Sequence, residues 1–239
     1  MPAVLESVHQ RPVRNNLASR VTLEELQLAI RHMSNGKAAG ASCIIPELVK
    51  AGGNVFTNSL LVLLHSVWDS ERVPQEWVDS ILVPVPKKGD LSLCDNWRGI
   101  ASLDVVGKLV ARVIQSRLQL VADDVLPGSQ CGFRSGRGCT DMTFSARQIE
   151  EMFEHHDKAF FVFVDLTKAY DSVPRDGLWI VLARLGVPSK LVNLIRSYHT
   201  TMSAHLRLDG DLPDPIAVDN GLCQGCTMAP VLLTSTCVR

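Results

Sequence analysis

Apolar residues recur at helical spacing through the first two thirds of the chain and give way to short unbroken or alternating runs later. At Thr22-Leu23-Glu24-Glu25, a Thr with a Glu three residues on forms a capping box. It opens a helix with Leu23, Leu26, Ile30 and Met33 on one face, and Asn35-Gly36 stops it. A second helix, from about Asn54 to Asp69, turns Leu60, Leu61, Leu64 and Trp68 inward. Val73-Pro74 closes that region, because the residue before a proline is pushed out of the helical well. Ser80 to Pro86 reads as a strand that its two prolines confine to a sheet edge, with Lys87-Lys88-Gly89-Asp90 as the turn at its end. Helical spacing returns from about Asp104 to Val121, through Val106, Val110, Val113, Ile114 and Leu118, and again over Thr140 to His155, through Ile149, Met152 and Phe153. His155-His156 would complement the dipole at the end of that helix.

Ala159 to Val164 breaks the pattern: aromatic and β-branched residues follow one another with no polar alternation, which predicts a strand buried on both faces. Helices are expected over Arg175 to Leu185, stopped by Gly186 and Pro188, and over Ser189 to Tyr198. Met202 to Leu208 alternates, Asp209-Gly210 is a hairpin signal, and Ile216 to Val218 is the return strand. Residues 1–20, with prolines at positions 2 and 12, are expected to be a loosely attached lead-in. Many helices and few strands place the fold in the α+β class.

Composition changes this picture little. With 46% hydrophobic and 21% charged residues, the 239-residue chain has ordinary globular composition and can bury a sizeable core in one large or two modest domains. The net charge of −1 gives no general basic footprint. Basic residues gather only locally, at Lys87, Lys88, Arg98, Lys108, Arg112, Arg117, Arg134 and Arg137. Seven cysteines, an odd number, and no charged-then-apolar leader point to reduced thiols in an intracellular protein. No apolar run reaches membrane-spanning length, so no membrane partner is expected.

The densest chemical signal is the abrupt end of the apolar run on Asp165. A carboxylate at the mouth of a buried strand is costly unless a positive partner compensates it, and a divalent metal carrying a phosphate is one such partner. Capping of the next turn through backbone amides is the other reading. Cys223-x-x-Cys226 has no second pair at zinc-finger spacing, and Gly36-Lys37-Ala38-Ala39-Gly40 lacks the spacing of a Walker loop.

The stretch Phe163-Val164-Asp165-Leu166-Thr167-Lys168-Ala169-Tyr170-Asp171 and the later Gly221-Leu222-Cys223-Gln224-Gly225-Cys226-Thr227-Met228-Ala229-Pro230 together resemble reverse transcriptases of non-LTR (LINE-type) retrotransposons. Their palm pattern is an aspartate ending a strand, then Lys-Ala-Phe/Tyr-Asp-x-Val, and later Gly-x-x-Gln-Gly-x-x-x-x-Pro. Upstream, Ile81 to Asp90, Asn96-Trp97-Arg98-Gly99-Ile100 and Gln130 to Arg137 look like that family's fingers motifs, so the resemblance runs from about Val21 onward. It implies a right-hand polymerase: fingers and the start of a palm over residues 21–158, a partial palm over 159–239, and a small antiparallel sheet. By the same resemblance the chemistry is template-directed nucleotidyl transfer, with an RNA template, a DNA primer, deoxynucleoside triphosphates and Mg²⁺. Asp165 would be the catalytic residue and first metal ligand, with the carbonyl of Leu166 as a further oxygen and Tyr170 as the sugar gate. Lys87, Lys88 and Arg98 would lie along the triphosphate, Arg98 above all, and Gln224-Gly225 against nucleotide or template. Arg134 and Arg137 would follow template phosphates.

Bland readings stand beside these. Tyr170 can be core packing, Asp171 a structural hydrogen-bonding residue, Lys87 and Lys88 solvated charge, and Arg134 and Arg137 part of a solvated loop. The sequence also departs from the family pattern. Arg98-Gly99-Ile100 stands where Arg-Pro-Ile is usual, Gly40-Ala41-Ser42-Cys43-Ile44 where Gly-Pro-Asp-Gly-Ile is usual, and no Tyr/Phe-x-Asp-Asp follows Pro230. The expectation is a truncated domain that lacks polymerase activity by itself, partnered by the missing C-terminal half or other retrotransposon proteins. A non-catalytic nucleic-acid- or protein-interaction remnant is the alternative. A phosphatase-like role for Asp165 is disfavoured by Thr167, which stands where a second acid belongs.

Overall fold

The computed structural model describes residues 8–154, 160–207, 213–223 and 225–236. The capping box forms as expected: Thr22 Oγ1 accepts from the Glu25 amide at 3.2 Å, and Glu25 Oε2 accepts from the Thr22 amide at 2.9 Å. It opens α1 (Leu23–Arg31), which buries Leu26, Ala29 and Ile30. A short α2 (Pro46–Ala51), which apolar spacing had not marked, begins on its proline, where the missing N–H costs nothing. Then come α3 (Gly53–Ser70), burying Leu60, Leu64 and Trp68, and α4 (Gln75–Val78). The core gathers on α5 (Val105–Val125). Asp104 caps this helix by accepting from the amides of Val106 and Gly107, and Leu109, Val110, Ile114 and Leu118 lie in its buried face. The helix α6 (Cys139–Glu154) follows, then α7 (Arg175–Arg184), α8 (Ser189–Thr200) and α9 (Ala229–Thr236).

The sheet is small and runs β2-β1-β3-β4, with β1 (Ser80–Pro86), β2 (Trp97–Ser102), β3 (Ser203–Leu206) and β4 (Ile216–Ala217). It is mixed rather than antiparallel: β1 pairs antiparallel with β2, but β3 lies parallel to β1. Nor is β1 an edge strand. The Leu82 carbonyl accepts from the Arg207 amide at 2.9 Å, so the even-numbered backbone groups of β1 face β3. Pro84 and Pro86 have the same parity, but β3 pairs only with Ser80 to Leu82. Their missing donors thus fall where no second neighbour exists, and the proline rule is satisfied residue by residue inside the sheet.

Two further expectations are corrected. The described part of the lead-in is not loose. Val8 and Leu17 are buried, the amides of Arg11 and Arg14 donate to the carbonyls of Arg184 and Gly186, and Trp68 Nε1 donates to Ala18. Phe160 to Val164 forms no strand and is exposed, with Phe160 at 88% and Phe163 at 93%. A run of apolar side chains becomes a buried strand only when neighbours pair with both its edges, and the described sheet ends at β2 and β4 without reaching it. Likewise Ile149, Met152 and Phe153 on α6 are exposed. The expected features at His155-His156, Ala159 and Asp209-Gly210 lie outside the described residues. Among the described residues, no helix is long and apolar enough to cross a membrane.

Candidate functional site

Three segments far apart in sequence meet around a cleft of about 890 Å³. The first is the β1–β2 hairpin. Antiparallel register brings Val85 opposite Arg98, the Lys87 amide donates to the Asn96 carbonyl at 2.7 Å, and Asn96 Nδ2 and Trp97 Nε1 tie the connecting loop down through Asp90 and Leu91 carbonyls. This geometry turns Lys87, Asp95 and Arg98 into the cleft. Arg98 is exposed, and Lys87 Nζ donates to the Asp95 carbonyl at 3.0 Å.

The second segment is the turn that follows the exposed apolar run. Lys168 takes a left-handed backbone (φ 50°), and the Ser172 amide donates to its carbonyl at 3.0 Å. Asp165, Leu166, Lys168, Tyr170 and Asp171 line the cleft from this side. Asp165 is exposed and makes no hydrogen bond or ion pair to another described residue, so the turn-capping reading is not realised. Tyr170 is half-buried against the core, and burial raises its phenol above the ordinary value.

The third segment is the loop carrying Gly221 to Gly225. The Leu222 amide donates to the Tyr170 carbonyl at 2.8 Å and the Gly221 amide to the Val173 carbonyl at 3.2 Å, so this loop and the preceding turn are bonded backbone to backbone. Gly221 (φ +76°) has no room for a Cβ, which would lie 2.6 Å from the Asp171 Cα. Gly225 (φ +115°) backs onto β2, where a Cβ would come within 2.6 Å of the Ala101 carbonyl oxygen. Arg175, at the start of α7, clamps this loop: Nε donates to the Gly221 carbonyl at 2.9 Å and Nη2 to Asn220 at 3.2 Å. Asn220, Leu222 and Cys223 add to the lining, with Met202, Ala204 and Val218 beside them, while Gln224 lies outside the described residues.

Asp165, Leu166, Tyr170 and Arg98 are therefore brought together, whereas Lys87 rather than Lys88 lines the cleft. Arg134 and Arg137 are elsewhere. Arg134 donates to the Asp123 carboxylate at 3.2 Å and to the Asp123 and Pro127 carbonyls, and Arg137 Nη1 donates to the Gly128 carbonyl. Both guanidiniums are engaged in fixing the loop after α5, and Arg134 also reaches the Asp123 carbonyl, one of the last of the helix, where an intrahelical donor is lacking. Lys168 was missed as a site residue. Its Nζ stands 3.4 Å from Asp95 Oδ1 across the cleft mouth, and only the fold reveals that proximity. Cys223 and Cys226 are buried free thiols, pushed by burial to about 12 and about 11, so neither is a thiolate at neutral pH.

The family model for "Reverse transcriptase (RNA-dependent DNA polymerase)" matches residues 85–237, which include the turn and the loop around the cleft and all of the hairpin but the start of β1. The chain is 26% identical over 230 residues to the Transposon TX1 uncharacterized 149 kDa protein of Xenopus laevis, covering 96% of this chain and 17% of that protein. It is 27% identical over 219 residues to the RNA-directed DNA polymerase from mobile element jockey of Drosophila melanogaster, covering 90% and 24%. To the probable RNA-directed DNA polymerase from transposon BS, of the same organism, it is 24% identical over 216 residues, covering 89% and 24%. The chain thus spans about a fifth of the length of these relatives.

Proposed function

The chain belongs to the reverse transcriptase (RNA-dependent DNA polymerase) family, and from that premise we propose that it is the fingers and partial palm of a non-LTR (LINE-type) retrotransposon enzyme, with the cleft as its nucleotide site. One observation carries this reading: Arg98 and Lys87, from a hairpin, face the same cavity as Asp165 and Tyr170, from a turn about 70 residues later. In this reading residues 21–158 are fingers with the start of the palm, and residues 159–239 belong to the palm. Arg98, whose planar fork of donors matches phosphate oxygens, and Lys87, a point charge, hold the triphosphate. Tyr170 sits against the sugar, and Gln224-Gly225 against the base pair or template. The substrates are a deoxynucleoside triphosphate, an RNA template and a DNA primer.

Mg²⁺ belongs to this family's chemistry. Mg²⁺ takes about six oxygens in near-octahedral geometry, and polymerase sites hold two such ions. Asp165 and the Leu166 carbonyl supply two oxygens, Asp95 faces Lys168, and no group of three or more His, Cys, Asp or Glu among the described residues is arranged to hold a metal. The described residues do not fit the paired ions, so the step assigned to this cleft is binding and orientation.

The test is titration of these 239 residues with dATP, followed by tryptophan fluorescence, since Trp97 lines the cleft. A saturable change that weakens with added salt is expected, and Arg98→Ala should weaken it about tenfold, the scale of one charge-assisted hydrogen bond. Affinity indifferent to both would contradict the reading. Primer extension on an RNA template with Mg²⁺ should give no product from the same polypeptide; extension abolished by Asp165→Ala would show instead that it holds its metal unaided.

A further inference from the structure

Asp95 engages two of the three cations that line the cleft among the described residues. Its backbone carbonyl accepts from Lys87 Nζ at 3.0 Å, and its carboxylate Oδ1 stands 3.4 Å from Lys168 Nζ, which comes from a turn 73 residues away. The hairpin places that carboxylate. Asp95 lies in one short turn (Cys94–Asn96), closed by the Asn96 amide donating to the Leu93 carbonyl at 3.0 Å and by the Lys87 amide donating to Asn96. Lys168 is set by a backbone at φ 50°, a left-handed conformation that crowds a β-carbon and that glycine adopts more readily. The contact between the two side chains is wet: they are 68% and 87% exposed. An ion pair in that setting shifts an equilibrium by no more than about fivefold. Arg98, in contrast, is exposed and its guanidinium bonds to no other described residue.

We propose that Lys168 is a third polyphosphate ligand of the cleft, held in reserve by Asp95, which releases it when a chain of phosphates is seated on Arg98 and Lys87. The exchange is a competition between two anions for one ammonium. The Asp95 carboxylate offers one negative charge through an exposed pair. A triphosphate offers several, and once bound to Arg98 and Lys87 it presents them at high effective concentration. A charge-assisted hydrogen bond to phosphate is worth about tenfold or more in affinity, which exceeds the pair it replaces. A monophosphate has fewer oxygens, which Arg98 and Lys87 already engage, so Lys168 stays with Asp95. Lys168 thereby determines specificity for the polyphosphate, in a cleft where Asp95, Asp165 and Asp171 balance the cations and net charge does not select.

Calorimetric titration of the 239-residue chain with dATP, dAMP and inorganic tripolyphosphate, at one salt concentration, tests the exchange. Lys168→Met should weaken dATP and tripolyphosphate about tenfold and dAMP less than about twofold, and Lys168→Arg should recover most of the loss. Asp95→Asn keeps the carbonyl that holds Lys87 and removes the charge that holds Lys168, so it should tighten dATP and tripolyphosphate about threefold. In the Lys168→Met background that gain should disappear. Both side chains are exposed, and circular dichroism of every variant should match the parent. An equal gain from Asp95→Asn in both backgrounds overturns the proposal, because Asp95 then acts by general repulsion. Lys168→Met binding both ligands as tightly as the parent overturns it as well. The inference rests on the reading of this cleft as the nucleotide site, and the two fail differently. Binding of dATP that falls with Arg98→Ala but ignores Lys168 and Asp95 overturns the Lys168 assignment alone. Tripolyphosphate that obeys the Asp95 and Lys168 coupling yet binds as tightly as dATP removes the nucleotide reading and leaves the exchange standing. No saturable binding of either ligand overturns both.

Discussion

The guanidinium of Arg117 is almost wholly removed from water and fully used. It donates to both oxygens of Glu25 at 2.8 and 2.7 Å and to the carbonyls of Leu17, Ser19 and Arg20, and it stacks 4.7 Å from the Trp68 ring centroid. In the sequence it was one of a scatter of basic residues; in the fold it ties the lead-in to α1, α3 and α5. Arg117→Ala would leave a carboxylate and three carbonyls without their donor, and a loss of about 3–5 kcal/mol in urea-unfolding free energy is expected. Acid should act through different residues. Burial lowers the His199 imidazole to about 4, against its bond to the Ile195 carbonyl and with help from Arg175. An unfolded histidine titrates near 6.5, so this contribution is complete above that pH. It is lost as pH falls from 6.5 toward 4, because the unfolded chain takes up the proton first. Glu25 extends the loss at lower pH: burial would raise its carboxyl, but the bonds from Arg117 and the Thr22 amide outweigh that and hold it below the ordinary range. Urea midpoints should fall between pH 7.5 and pH 4.5 by on the order of 3 kcal/mol in stability, and His199→Gln should flatten that dependence.

At the scale of elements, what was legible in the sequence is what local chemistry fixes. The capping box at Thr22, the span of β1 and the helices α3, α5, α7 and α8 emerge within a few residues of expectation, because each is written in short-range spacing and end signals. The neighbours of β1 were not legible: only the register shows that Pro84 and Pro86 lie beyond β3. The apolar run before Asp165 predicts a burial that the fold does not show, since burial depends on partners that a local pattern does not name. The site shows the same division. Asp165, Tyr170, Arg98 and Lys87 could be named from motifs, whereas the place of Lys168 beside Asp95 required the fold. Gly225 offers a test of the turn. With φ at +115° and the Ala101 carbonyl oxygen 2.6 Å from any added Cβ, Gly225→Ala should lower stability by about 1–3 kcal/mol, read as a fall in Tm, whereas Ala at the unobstructed Gly138 should leave it nearly unchanged.

At the scale of the molecule, one helical core around α5 holds a hairpin, a turn and a loop in mutual contact, and their shared product is the cleft. Three cations, Lys87, Arg98 and Lys168, share it with three carboxylates, Asp95, Asp165 and Asp171, so the cleft is not a general anion trap. Recognition there has to come from placement rather than net charge, in keeping with an overall charge of −1. The central claim is that this cleft is where the family's nucleotide sits, and photolabelling addresses it most directly. With an azido-substituted deoxyadenosine triphosphate, label displaced by excess dATP is expected on peptides containing Arg98 and on those spanning residues 165–171. Displaceable label confined to the loop of Arg134 and Arg137 or to α6, with these peptides unmarked, would contradict it.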